Sequence, residues 1–424
     1  MKAAWLAPSA LRGTLVAPPS KSYTHRALVA GYLSHRTFRV ENPLYSDDTA
    51  ATARGLGRLG ASVDRTPGVW TIRPKRPEPH PRREVIECRE SGTTLRFLLP
   101  VAACRTVPVR FVGSPRLRAR PFRSLTDALR AGGARVTGSR SARTIATVTG
   151  PLQGLETTVD VSESSQFLSA LLMVLPTLDQ PSTLRLRSNP VSRPYLEATI
   201  RVLRASGVRL EWEGRVIRIR APQRYRGSRF RVPGDASSAA YLWAGAAVSG
   251  GAVTVEGIDR RWPQADLAIL DILEAMGAVV RRHRTAVAVA GPLNAPVRVN
   301  LDNAPDLLPL VSVLAATVPK TSRLTGARHA ARKESDRRAE SARLARKLGA
   351  TVRLRANVIE ILGGPTVRPL RFSGPADHRM VMSAAVASLA GSSPSVVRPA
   401  GAVAKSYPGF WQALRSLGAE VRIR

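Results

Sequence analysis

Two kinds of apolar pattern alternate along the chain. Short alternating stretches such as Thr144 to Val148, Val216-Ile217-Arg218-Ile219-Arg220 and Val358 to Leu362 predict half-buried strands. Between them lie runs of small and apolar residues, such as Ala236 to Ala240 and Met382 to Leu389, that suit helices buried on every side. A helix tail of the form apolar-x-x-x-Gly-small-x-Val recurs six times, around Gly60, Gly133, Gly207, Gly277, Gly349 and Gly418. Each glycine is expected just past a helix end, with a strand following.

A second series marks helix beginnings: Ser20-Lys21-Ser22, Ser91-Gly92-Thr93, Ser164-Ser165-Gln166, Gly234-Asp235-Ala236, Ala304-Pro305-Asp306 and Asp377-His378-Arg379. Ser, Thr or Asp stands at each where a helix would start. Both series have a period of roughly 70 residues, longer than a solenoid repeat and suited to repeated small folding units. Six β-α units predict an α/β (α+β) fold with three units in each of two domains. Pro18-Pro19 and Val232-Pro233-Gly234 are the boundary signals. Residues 1–17 are expected to pair back with 234–424 as one discontinuous domain, and 18–233 to form the other. A cleft between the two, with helix N-termini directed into it, is the expected place for anionic ligands.

Composition narrows the function. The chain of 424 residues carries 65 Lys and Arg against 30 Asp and Glu, a net charge of +35. The arginines are spread through nearly every segment, and aromatics are only 5% of the chain, too few for base-stacking platforms. Nucleic acid and membrane partners are therefore not expected, and small anionic substrates are. Only 7 of the cations are lysine, against 58 arginines, which singles out Lys21, Lys333 and Lys405 as compact amines able to give up a proton. The longest apolar runs, Phe167 to Leu178 and Leu307 to Val318, are too short to span a bilayer, and Met1 to Trp5 does not open a signal peptide, so a cytoplasmic location is expected. Cys88 and Cys104 lack CxxC spacing, and the six histidines form no ligand cluster, so neither a metal nor a disulfide framework is expected.

The stretch Pro18-Pro19-Ser20-Lys21-Ser22-Tyr23-Thr24-His25-Arg26 brings two prolines, a capping serine, an ammonium and a guanidinium to one helix N-terminus, an arrangement suited to an oxyanion. With it, in order, come Ser91-Gly92-Thr93-Thr94-Leu95-Arg96, Arg118-Ala119-Arg120-Pro121, Ser164-Ser165-Gln166-Phe167, Ser192-Arg193-Pro194-Tyr195 and Gly234-Asp235-Ala236-Ser237-Ser238. Pro305-Asp306, Lys333-Glu334-Ser335-Asp336-Arg337, Asp377-His378-Arg379-Met380 and Ala404-Lys405-Ser406-Tyr407-Pro408 continue the series. From about Lys2 to the C-terminus these motifs resemble the 5-enolpyruvylshikimate-3-phosphate (EPSP) synthase family, the 3-phosphoshikimate 1-carboxyvinyltransferases.

The resemblance implies an inside-out α/β barrel in two similar domains of three units each. It implies transfer of the enolpyruvyl group of phosphoenolpyruvate to the 5-hydroxyl of shikimate 3-phosphate, with release of phosphate, on the shikimate route to chorismate and the aromatic amino acids. No cofactor is implied, and a monomer is expected. By resemblance, shikimate 3-phosphate is bound by Lys21, Ser22, Arg26, Ser164, Ser165, Gln166, Ser192, Tyr195, Asp306, His329 and Lys333. Arg26 would take its carboxylate, and Tyr195 would stack beneath its ring. Phosphoenolpyruvate is assigned to Lys21, Gly92, Arg120, Gln166, Arg337, Arg379 and Lys405. Asp306 resembles the general base that deprotonates the 5-hydroxyl, and Glu334 the acid that protonates the methylene carbon, with Lys21 or Lys405 assisting proton flow to the leaving phosphate. Glu334 stands among Arg332, Lys333 and Arg337, which favour its ionised form, so an acid role needs substrate charge or burial to offset them.

Each residue also has a plainer reading: Asp306 as a helix cap after Pro305, Glu334 as part of a surface ion-pair run, His378 as a structural histidine and Gly92 as turn punctuation. Glu90 and His329 stand where many relatives have Asn. Two further readings remain. The related UDP-N-acetylglucosamine enolpyruvyl transferase shares the repeat, but it carries a reactive cysteine where this chain has Arg116 to Phe122, and Lys-Asn where this chain has Lys21-Ser22. A basic, non-catalytic RNA-binding repeat protein would account for the charge and leave the ordered motifs unexplained.

Overall fold

The structure, a computed structural model, describes residues 2–74, 84–138 and 143–424. Two compact units are present, one made of residues 1–18 and 233–424 and the other of residues 19–232. The described residues form six four-stranded sheets, three in each unit. In one of them Glu84–Glu87 runs parallel to Val109–Val112, which pairs antiparallel with Thr144–Thr149, which in turn pairs antiparallel with Arg135–Thr137. The other five repeat this order of one parallel and two antiparallel pairings.

Each repeat is therefore richer than the β-α unit read from the sequence. Between Glu84–Glu87 and Val109–Val112 lies the helix Gly92–Ala103, and between Val109–Val112 and the closing hairpin lies the helix Arg123–Ala131. The pattern is βαβαββ. The strands that escaped sequence reading are three to five residues long, too short for alternation to register.

The two helices of a repeat differ in burial. The first is buried nearly all round, as in Lys21–Leu33, Gly92–Ala103 and Ser165–Val174 of one unit and Ala236–Val248, Leu308–Ala316 and His378–Leu389 of the other. Within each unit these three pack on one another, with sheets outside them, which is the inside-out arrangement. The second helix buries one face, as Arg123–Ala131 does through Leu125, Ala128 and Leu129. All six second helices end at the predicted glycine. Gly60, Gly133, Gly207, Gly277, Gly349 and Gly418 have φ between 78° and 101°, a left-handed conformation that a side chain would strain.

The N-terminal residues serve two sheets of the first unit. Ala4–Leu6 lies between Ser395–Arg398 and Val421–Ile423, and Arg12–Val16 runs parallel to Ala252–Glu256. Many arginines sit at exposed positions on or beside strands in pairs such as Arg218–Glu213 and Arg220–Glu211, which contribute little to stability. Among the described residues no helix is long and apolar enough to cross a membrane, and no group of three His, Cys, Asp or Glu is placed to hold a metal ion. His80, one of the six histidines, lies outside the described residues.

Candidate active site

The predicted binding residues of the 19–232 unit gather at the beginnings of its buried helices. Lys21 is the first residue of its helix, and its Nζ lies 3.2 Å from Asp48 Oδ2. The expected capping hydrogen bond is not made there: Ser20 occupies the cap position, but its side chain accepts no helix N–H, and its carbonyl instead takes Thr24. One turn on, Arg26 is buried, and burial pushes its guanidinium down to about 10. Three of its five N–H groups are already used, by Thr199 Oγ1, the Ser22 carbonyl and the Tyr195 carbonyl, at 2.8–2.9 Å. Arg26 thus ties the Ser22 and Tyr195 backbones together, which leaves it two N–H groups for a ligand carboxylate.

The second helix start is built as expected. Ser91 Oγ accepts the Thr94 N–H at 3.1 Å, which places Gly92 at the first helical position. A Cβ on Gly92 would lie 2.9 Å from the Cζ of the buried Arg120, so the backbone at 92 and that guanidinium are in direct apposition. Ser164 caps the third helix through the Gln166 N–H, and Ser165 is buried beside it. Gln166 is held at both ends of its amide: Arg96 Nη1 donates to its Oε1 at 2.7 Å, and its Nε2 donates to Thr93 Oγ1 at 3.1 Å. Arg96 donates in addition to the Pro121 carbonyl, next to Arg120. Ser192 is in the left-handed region, φ 55°, immediately before the helix that carries Tyr195. Such strain in a non-glycine residue gathers at binding sites; Arg89 and Ala327, just ahead of the Gly92 and His329 segments, share it.

In the other unit the predicted residues converge on a buried ionic network. Arg337 is 1% exposed, and its guanidinium meets three carboxylates: Asp306 Oδ1 at 2.6 Å, Glu334 Oε2 at 2.8 Å and Asp377 Oδ2 at 2.9 Å. Arg379 Nη2 reaches Asp306 Oδ2 at 3.1 Å, and Lys333 Nζ lies 3.7 Å from Asp306 Oδ1. Burial pushes the Asp306 carboxyl up, but Arg379, Lys333 and Arg337 together outweigh it and hold it well below the usual carboxylate range. Asp306 does not hold a cap position: it sits in a single 3-10 turn, Pro305–Leu307, and Leu307 is the residue that precedes the helix Leu308–Ala316. Glu334 is part of this buried network and not of a surface run. Burial and the Lys333 charge lower His329 to about 4, so its imidazole is neutral at physiological pH and offers one donor and one acceptor, as an Asn would. Lys405 is buried at the end of the 3-10 turn Ala400–Lys405.

A carboxyl pair bound to one arginine, with two further cations, suits acid–base chemistry on an anionic substrate, and whole-chain comparison names the chemistry. Residues 6–414 match the profile of EPSP synthase (3-phosphoshikimate 1-carboxyvinyltransferase). The chain belongs to the EPSP synthase family. The 3-phosphoshikimate 1-carboxyvinyltransferase of Methanoculleus marisnigri is 39% identical over 408 residues, covering 95% of this chain and 96% of its own. That of Thermococcus kodakarensis is 39% identical over 96% of this chain and 98% of its own. Among solved structures, an EPSP synthase from Acinetobacter baumannii superposes with a TM-score of 0.81 at 24% identity over all of both chains. The enolpyruvyl transferase NikO of Streptomyces tendae gives 0.77 at 18% identity, covering 100% of this chain and 98% of its own. At those identities the two structures speak for the fold alone.

Several residues of the two clusters went unread in the sequence. Asp48 faces Lys21 from a different helix, 27 positions on. Asp377 was legible only as a cap for Arg379, yet it also accepts from Ser335 Oγ and from Nε and Nη2 of Arg337. Arg96 stands inside a quoted motif but betrays its role only through the Gln166 contact. Asp266 lies 3.6 Å from Arg379 Nη1. Burial first, opposed by Arg379 and reinforced by Asp306, raises its carboxyl to about 6.

Proposed function

We propose that the protein transfers the enolpyruvyl group of phosphoenolpyruvate to the 5-hydroxyl of shikimate 3-phosphate, as a monomer in the cytoplasm. The observation that supports this most is the Arg337 constellation, in which two acid–base groups, Asp306 and Glu334, share one buried guanidinium. Asp306 takes the proton of the 5-hydroxyl while the oxygen bonds to C2 of phosphoenolpyruvate and Glu334 delivers a proton to C3. Loss of one proton from the resulting methyl group, with departure of phosphate, restores the double bond as an enol ether.

The electrostatics account for the order of events. Without substrate, Asp306 is too well paired to be a good base. The phosphate and carboxylate of phosphoenolpyruvate bring negative charge beside Asp306 and share the charge of Arg337 and Arg379 with it, so that as the ligand binds the Asp306 carboxyl rises toward a basic range. The same negative charge favours a proton on Glu334. Lys21, Gly92, Arg120, Gln166, Arg337, Arg379 and Lys405 are assigned to phosphoenolpyruvate. Ser22, Arg26, Ser164, Ser165, Ser192, Tyr195, Asp306, His329 and Lys333 are assigned to shikimate 3-phosphate, with Lys21 and Gln166 reaching both. The purified protein should release phosphate from phosphoenolpyruvate only when shikimate 3-phosphate is present; release without the acceptor, or none with it, refutes the reading.

A further inference from the structure

We propose that Asp266 is a positioning residue for phosphoenolpyruvate binding: it holds one end of the Arg379 guanidinium while Asp306 holds the other, and so presents that fork to the ligand. The inference rests on the function proposed above and extends it to a residue outside every motif of the sequence. Asp266 lies in the 3-10 turn Ala265–Leu267, ahead of the helix Ala268–Ala275, and is 1% exposed. Its Oδ2 is 3.6 Å from Arg379 Nη1 and accepts the Ser237 hydroxyl, and Arg379 Nη2 is on Asp306 Oδ2 at 3.1 Å. The two carboxylates therefore stand at opposite terminal nitrogens of one arginine, Asp306 close and Asp266 at ion-pair distance, which biases the orientation of the guanidinium. Its other oxygen, Oδ1, is buried without a hydrogen-bond partner. A carboxylate buried with so few donors has no evident structural use, since it caps no helix and a neutral residue would be easier to bury.

The groups facing Asp266 are Arg379 from the His378–Leu389 helix, Asp306 from its own 3-10 turn, and Asp235, Ser237 and Tyr241 from the start and first turns of the Ala236–Val248 helix. Arg379 is the cation among these and opposes the two carboxylates, so the charge that grips it is lost as pH falls through about 6. An ionised Asp266 anchors Arg379, and a protonated one does not.

Two variants read this out by steady-state kinetics with both substrates from pH 5 to 8. Asp266→Asn keeps the shape and the Ser237 contact but not the charge, and should raise KM for phosphoenolpyruvate about tenfold at pH 8, with kcat changed less than threefold and KM for shikimate 3-phosphate little moved. The ratio of mutant to wild-type KM should shrink toward one as pH falls below 6, because the wild type then loses the same charge. Titration of the ligand's own phosphate cancels in that ratio. Ser237→Ala removes a donor to the carboxylate, so its phosphoenolpyruvate KM should begin to rise at a higher pH than in the wild type. A ratio independent of pH, or equal losses for both substrates, makes Asp266 merely structural and overturns the inference while leaving the proposed function intact. Absence of wild-type turnover overturns both.

Discussion

Replacing Gly92 by alanine tests the phosphoenolpyruvate half of the site through a known distance. The new methyl would lie 2.9 Å from Cζ and Nη1 of Arg120 and 3.1 Å from its Nη2, where ordinary contact begins near 3.4 Å. The backbone at 92 begins a helix and does not have the positive φ that would strain an alanine. Arg120 must therefore yield, by about 0.5 Å or more. Because the clash is with the end of a flexible side chain, folding stability should hold, with a thermal midpoint within about 2 °C of the wild type. The guanidinium is displaced from the position proposed for the ligand, which should raise KM for phosphoenolpyruvate about 10- to 100-fold and that for shikimate 3-phosphate little. A double-mutant cycle with Arg120→Ala identifies the route: if the methyl acts through the guanidinium, Gly92→Ala should cost much less once Arg120 is absent. Fully additive losses would show that the methyl meets the ligand directly, and equal effects on both substrates would refute the placement of this loop.

Three further outcomes follow from the ionic network. Asp306→Asn should bind both ligands and lose turnover, whereas Glu334→Gln should in addition lose the exchange of phosphoenolpyruvate methylene hydrogens with solvent, which NMR follows by deuterium incorporation; normal exchange in Glu334→Gln would shift the acid role to Lys21 or Lys405. Arg337→Met leaves three carboxylates facing a buried apolar group and should cost about 3–5 kcal/mol in urea unfolding, with Arg337→Lys between it and the wild type. Asp266→Asn should stabilise the fold by on the order of 2 kcal/mol above pH 7, and the gain should vanish below pH 4. The sign follows from a carboxyl raised in the folded state: the stability it contributes is present below the unfolded value near 4 and lost as pH rises through about 6. For Asp306, held low, the opposite applies, with stability present above that unfolded value and lost as pH falls through its folded one.

The repeat was legible because each unit ends its second helix at a glycine with positive φ, a requirement that leaves the same residue at Gly60, Gly133, Gly207, Gly277, Gly349 and Gly418. The edge strands were not: Arg229–Arg231 and Glu156–Val159 earn their place by pairing with partners far along the chain. The left-handed residues His35, Asn42, Arg89, Ser192 and Ala327 were hidden for the converse reason, since none is a glycine. Motifs located most of the candidate site, but not its internal wiring. Nothing in the spacing of Asp306, Glu334, Arg337 and Asp377 says that three carboxylates share one guanidinium, and nothing near Lys21 points to Asp48. The same holds for Arg26, whose charge reads as a ligand fork and whose neighbours turn out to use most of it.

The product formed from the two substrates identifies the reaction. Phosphoenolpyruvate labelled with carbon-13 should be incubated with the protein and either shikimate 3-phosphate or UDP-N-acetylglucosamine, and followed by carbon and phosphorus NMR. An enol ether on the 5-oxygen of shikimate 3-phosphate should form in step with inorganic phosphate, with no change when the nucleotide sugar is the acceptor. Transfer to UDP-N-acetylglucosamine, or phosphate released without an enol ether, would contradict the proposed function.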